Sequence, residues 1–183
     1  YQSYLKLREI FEKKNNIKYV IYSFIDHHEM RNIGDVTYLE GLSKMSKDLI
    51  YLPYVSLDKN KNLKEHTPIK YLTIPFSNYS VLITKIQKKI MRIKIKSKYK
   101  NRNIITKKLI LKMDNLSKKN NSNFIFVNLF SKNKNFLLKK NVNYLNCQIN
   151  DFHLYTNNQL DFHPNHLANK LYSKCINKFI VEN

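Results

Sequence analysis

Glycine, cysteine, tryptophan and acidic residues are all scarce in this chain. Its 183 residues hold two glycines, two cysteines, four prolines and no tryptophan, and 13 acidic side chains stand against 33 basic ones. Two cysteines, Cys147 and Cys175, cannot build a disulfide framework, and Cys175 falls on an apolar helical face, so it is expected in the core. No run reaches the roughly 18 to 20 apolar residues of a membrane span, so no spanning segment is expected. No leader peptide is visible, and the chain starts at Tyr1 rather than Met, which reads as a processed or truncated piece. No internal repeat or low-complexity linker divides the sequence. With 43% hydrophobic residues, a single domain over residues 1–183 with a real core is expected.

The formal charge of +20 invites a nucleic-acid or acidic-surface reading. Basic residues cluster at positions 85, 88, 89, 92, 94, 96, 98 and 100, and exposed tyrosines could stack on bases. The whole chain, however, is rich in Lys, Asn and Ile, the bias an AT-rich coding genome would impose irrespective of function. A solvated Lys-rich face with no nucleic-acid partner is therefore the expectation, and a basic, non-catalytic α/β protein that binds polyanions stands as the alternative.

Periodicity places the elements. Tyr4, Leu5, Leu7, Ile10 and Phe11 give a helical stripe within 1–14. Tyr19 to Ile25 is almost wholly apolar and reads as a central strand of a parallel sheet, buried on both faces. The polar group Asp26-His27-His28-Glu29 follows directly, at the strand end where reacting groups gather in open α/β sheets. Residues 47–80 read as an irregular insertion, with Asp58 to Asn62 a turn between two extended pieces; it is either a lid or a surface excursion. Val81 to Met91 reads as a helix with Leu82, Ile86, Ile90 and Ile93 on one side. Residues 94–103 read as a basic loop or helix extension, and 104–119 as a second helix with Ile105, Leu109, Met113 and Leu116 in phase. Phe124 to Phe130 is another buried-type strand, and 142–149 a short one. From His166 to Ile180, Leu167, Leu171, Cys175 and Phe179 recur every four residues, flanked by Ala168, Tyr172, Ile176 and Ile180. The alternation of strands and helices predicts a parallel α/β sheet.

The stretch Asp161-Phe162-His163-Pro164-Asn165 is the candidate chemical corner. Asp161 can orient an imidazole and His163 can shuttle a proton near neutral pH, while Pro164 fits a first helical turn that tolerates a missing N–H. On residue types alone, a capped C-terminal helix serves equally well. His27 and His28, with His153, His163 or His166, could also meet at a metal, but no spacing such as His-Glu-x-x-His is present. Neither metal nor cofactor is expected.

The block from Asp161 to Leu167 resembles the last conserved block of the SGNH (GDSL-type) hydrolases in its Asp-x-His-Pro-Asn form, with Ala168 and Asn169 where the family usually has Gly and His. Tyr19 to Ile33 is similar to the strand and loop of that family's third block, with Ser23-Phe24-Ile25-Asp26 where the usual pattern is Gly-x-Asn-Asp. The resemblance implies a three-layer α/β/α sandwich (flavodoxin-like) lacking its N-terminal strands. It implies a serine esterase acting on a small-molecule or glycan ester, with His163 as general base and Asp161 as its orienter. Ile25 stands where the oxyanion-binding Asn would be, leaving Asp26, His28, Arg31 and Asn32 as candidates at the site edge. The family's Gly-Asp-Ser block, which carries the nucleophile, is not among these residues.

Overall fold

A computed structural model describes residues 1–14, 16–45, 51–71, 74–77, 79–131, 142–157 and 163–182, with the side chains of 45 and 94–98 set aside. The chain is mixed α/β and divides into two compact units: Tyr1–Lys13 with His27–Lys112, and Lys14–Asp26 with Met113–Asn183.

The second unit is built on a parallel sheet. Strand β1 (Tyr19–Ile25) pairs with β4 (Asn123–Phe130), and β4 pairs with β5 (Asn143–Asn146), both in parallel, in the order β1-β4-β5. The central position belongs to β4, whose residues Phe124 to Asn128 are all buried. In β1 only Phe24 is fully buried and Ile21 is exposed, so β1 is an edge strand among the described residues, not the central one expected. An apolar run reports a buried strand but not its neighbours. Helix α6 (His166–Glu182) covers one face: Ala168 and Tyr172 pack against Ile125 and Val127, with Ile176 and Ile180 beside them. The packing face thus comprises Ala168, Tyr172, Ile176 and Ile180 with Cys175 and Phe179 beside them, whereas Leu167 and Leu171 are exposed.

The cysteines depart from expectation. Cys147 and Cys175 form a disulfide, their Cα atoms 5.9 Å apart, because seating α6 on the sheet brings its middle beside the residue that follows β5. No local pattern announces a pairing across 28 residues.

The first unit carries helix α1 (Gln2–Lys13), the short α2 (His28–Asn32), α3 (Val36–Met45), a hairpin of β2 (Leu52–Leu57) and β3 (Leu63–Ile69), and α4 (Val81–Lys100). Helix α5 (Arg102–Lys119) starts in this unit and ends in the other. The hairpin is the feature expected around 58–62, its turn closed by Asn62 N–H donating to Asp58 Oδ1 at 2.7 Å. Helix α3 has no counterpart in the sequence reading. It is opened by Asp35, whose Oδ1 accepts from the N–H groups of Thr37 (2.8 Å) and Tyr38 (3.2 Å). Gly34 precedes it at φ +68°, and a Cβ there would come within 3.0 Å of Ile69 and 3.2 Å of Tyr54. Val36, Leu39, Leu52 and Met91 form one buried apolar cluster of this unit, and Ile33, Val55, Ile105 and Ile110 are fully buried as well.

Helix α4 runs on through Lys100, so residues 94–100 are helix extension, not loop. Its inward side is made by Gln87 and Met91, and the Leu82-Ile86-Ile90-Ile93 stripe faces solvent.

Candidate functional site

The carboxyl ends of β1 and β4 set one edge of the parallel sheet. There the backbone N–H of Asp26 donates to the carbonyl of Phe130 at 3.1 Å, carrying the ladder one step past β1. The Phe130 ring packs on Phe152 with centroids 5.2 Å apart, which holds a single 3₁₀ turn, Phe152–Tyr155, at the end of β4. Tyr155 in turn accepts the backbone N–H of Asn165 at 2.8 Å. Through this relay the turn bearing His163 is tied to the same sheet edge as Asp26.

That turn is closed by local bonds. Thr156 and Pro164 form an isolated antiparallel bridge, and Asn157 N–H donates to the His163 carbonyl at 3.1 Å. Asn165 is the organising residue: its Nδ2 donates to the Thr156 carbonyl at 3.3 Å, and its Oδ1 accepts from Leu167 and Ala168 N–H at 3.0 and 3.1 Å. It is therefore the cap of α6. The helix starts at His166, which puts Pro164 two residues ahead of it in the bridge, not in the first helical turn. The His163 side chain is solvent-exposed. Asp161 lies outside the described residues.

The other candidates belong to the first unit. His28 opens α2, and its imidazole pKa is pushed down to about 3, chiefly by burial, with the nearby positive charges of His27 and Arg31 adding to it. His28 is thus a neutral ring at physiological pH. The His27 and His28 rings meet edge to face at 5.3 Å. Glu29 is buried and paired with Arg102 at 3.1 Å. The Arg31 guanidinium lies over the Tyr38 ring, 4.7 Å from its centroid, and its buried Nε has no hydrogen-bond partner among the described residues. Asn32 is buried in packing: its Nδ2 donates to Thr106 Oγ1 at 2.9 Å and its Oδ1 accepts from the Tyr1 amino group. Among the described residues no group of three His, Cys, Asp or Glu side chains is placed to hold a metal ion.

Three features had no place in the sequence reading. Asn128, buried near the end of β4, donates from Nδ2 to Tyr144 Oη (3.2 Å) and Asn146 Oδ1 (3.4 Å), so polar groups of neighbouring strands meet towards the carboxyl end of β4. Its signal was one amide inside an otherwise apolar strand. Ser56 Oγ lies 2.7 Å from His66 Nε2 across the hairpin, with the His66 ring stacked on Tyr54 at 4.7 Å. Strand register alone brings these two together, and register is invisible in residue types. The third is a cavity of about 950 Å³ in the first unit, walled by Lys85, Lys88, Lys89, Arg92 and Lys100 along with Asp35 and Tyr99. Lys88 is paired with Glu40 at 3.0 Å. Among the described residues the other four cations of that wall have no ion-pair partner.

Compared with known proteins, the chain matches no family model, no curated protein and no solved structure.

Proposed function

We propose that the chain is part of an SGNH-type serine esterase, its sheet the centre of a three-layer α/β/α sandwich. The observation that carries this reading is the relay from Phe130 through Phe152 and Tyr155 to Asn165, which holds the His163 turn at the carboxyl edge of a parallel sheet. Substrates of open α/β sheets bind at that edge. The sequence resemblance of Asp161 to Leu167 supplies the roles: His163 takes the proton of a serine hydroxyl as it attacks an ester carbonyl, and Asp161 holds the imidazole and stabilises its cationic form. The ester is that of a small molecule or a glycan.

A fluorophosphonate that labels activated serines tests this in the complete protein. The reading expects one labelled serine, outside these 183 residues, and loss of labelling in His163→Ala. Label on Ser56 that survives His163→Ala would transfer the activity to the hairpin pair and overturn the assignment.

One observation favours a second reading, a basic non-catalytic protein for polyanions: the cavity wall built from Lys85, Lys89, Arg92 and Lys100. That reading expects salt-sensitive binding and no reaction with fluorophosphonates.

A further inference from the structure

Helix α4 combines two stripes that a soluble helix rarely shows together. Leu82, Ile86 and Ile93 lie on one line along the helix, and they are 68%, 46% and 65% exposed. Lys85, Lys89 and Arg92 form the adjoining line, all exposed. The helix's packing side is elsewhere, at Gln87 and Met91, so the apolar stripe is not needed to hold the helix in place. A contiguous exposed apolar stripe marks an interaction surface.

The turn leading into α4 extends it. Phe76 sits at φ +63° with its side chain 72% exposed, and Tyr79 is 91% exposed. A bulky residue in the left-handed region is held there by its surroundings. Here Thr84 Oγ1 donates to the carbonyls of Ser77 and Ser80, and Ile74 N–H donates to Gln87 Oε1 at 2.7 Å, fixing the turn onto the helix. Two exposed aromatic residues thus stand in the turn that leads into the helix bearing the aliphatic stripe.

Charge selects the partner. No Asp or Glu occurs between His66 and Met113, while lysine and arginine recur throughout. A second copy laid on this stripe would set Lys85, Lys89 and Arg92 against their own kind. An anionic bilayer surface neutralises them and accepts Leu82, Ile86 and Ile93 at the boundary of headgroups and acyl chains, with the lysine stems extended to the phosphates. Exposed aromatics suit the same interface. No helix among the described residues is long and apolar enough to cross a membrane. We infer that α4 and the turn before it are a docking surface for an anionic lipid bilayer, with the helix lying in the plane of the interface. This names the partner of the basic surface in the second reading, on which it rests, and it does not depend on the chain being an esterase.

Flotation of the complete protein with vesicles tests it, using phosphatidylcholine alone and phosphatidylcholine mixed with phosphatidylglycerol, alongside retention on heparin-agarose. The protein should float only with the mixed vesicles, and less as salt is raised. Lys85→Ala, Lys89→Ala and Arg92→Ala should each weaken partition about fivefold, from roughly 1 kcal/mol per basic residue near the surface. Leu82→Asp with Ile86→Asp should abolish flotation while circular dichroism and the unfolding midpoint stay unchanged. Heparin retention without flotation would overturn the lipid assignment and leave the polyanion reading standing; failure on both supports would remove both. Flotation unaffected by the Leu82 and Ile86 changes would overturn the role of α4. A dimer that these changes convert to monomer, with no flotation, would assign the stripe to a second copy instead.

Discussion

Cys147 and Cys175 are covalently joined, fastening the residue after β5 to the middle of α6. The bond adds to the apolar contacts by which α6 covers the sheet face, through Ala168 and Tyr172 on Ile125 and Val127.

Closing a loop across 28 residues removes chain entropy worth about 3–4 kcal/mol from the unfolded state. Reduction, or Cys147→Ser with Cys175→Ser, should therefore lower the thermal midpoint by roughly 10 °C. A calorimetric scan with and without reductant reads this directly; equal midpoints would mean the bond constrains nothing.

Asn165 caps α6 with two N–H bonds and steadies the bridge before it through Thr156. Asn165→Ala should cost about 1–2 kcal/mol, and Asn165→Asp, which keeps the cap oxygen but loses the Nδ2 bond, should cost less. Urea titration of the three proteins gives the order.

The depressed pKa of His28 makes stability pH-dependent. The unfolded imidazole protonates near the ordinary 6.5, whereas the folded one stays neutral down to about 3. The unfolded state thus binds the extra proton in between, so stability is intact above pH 6.5 and falls as the pH drops through that window. Glu40 does not interfere in the upper part, because the hydrogen bond from Lys44 holds its pKa below the usual 4.5. Urea midpoints measured from pH 7 to pH 5 should fall for the natural protein and stay flatter for His28→Gln; identical slopes would place the loss elsewhere.

Gly34→Ala should destabilise by more than 1 kcal/mol, since the residue is in the left-handed region and the new methyl meets Ile69 and Tyr54. Gly41→Ala is the control, because apart from its chain neighbours and its own helix backbone nothing lies within 4 Å of its Cβ position. Chemical denaturation of both proteins separates backbone strain and crowding from any general effect of replacing glycine.

These positions show how far residue types reach. The strands at Tyr19–Ile25 and Asn123–Phe130 were legible because unbroken apolar runs between polar turns have few alternatives, and Asp58 to Asn62 announced the hairpin. Periodicity located a stripe on α4 and another on α6, but a stripe does not say whether it meets protein or solvent. Leu82 and Ile86 point outward, and Ala168 and Tyr172 pack where Leu167 and Leu171 do not. What depended on the pairing and register of elements stayed hidden: the disulfide, the Ser56–His66 pair, and the edge position of β1. Helix α3 is not legible although Asp35 is a normal cap, because the helix is only ten residues long, Val36 to Met45, and its stripe is short. His163 was legible as a candidate through its motif, and the relay that positions its turn was not.

The most direct measurement is ester turnover by the complete protein and its His163→Ala variant, followed with a p-nitrophenyl ester, with the unfolding midpoint of each recorded. Removal of a general base should lower kcat/KM by at least about a hundredfold. The stability of the variant should stay within about 0.5 kcal/mol of the parent, because the side chain is solvent-exposed. Undiminished turnover in the variant would contradict the esterase assignment and leave the His163 turn as a helix cap.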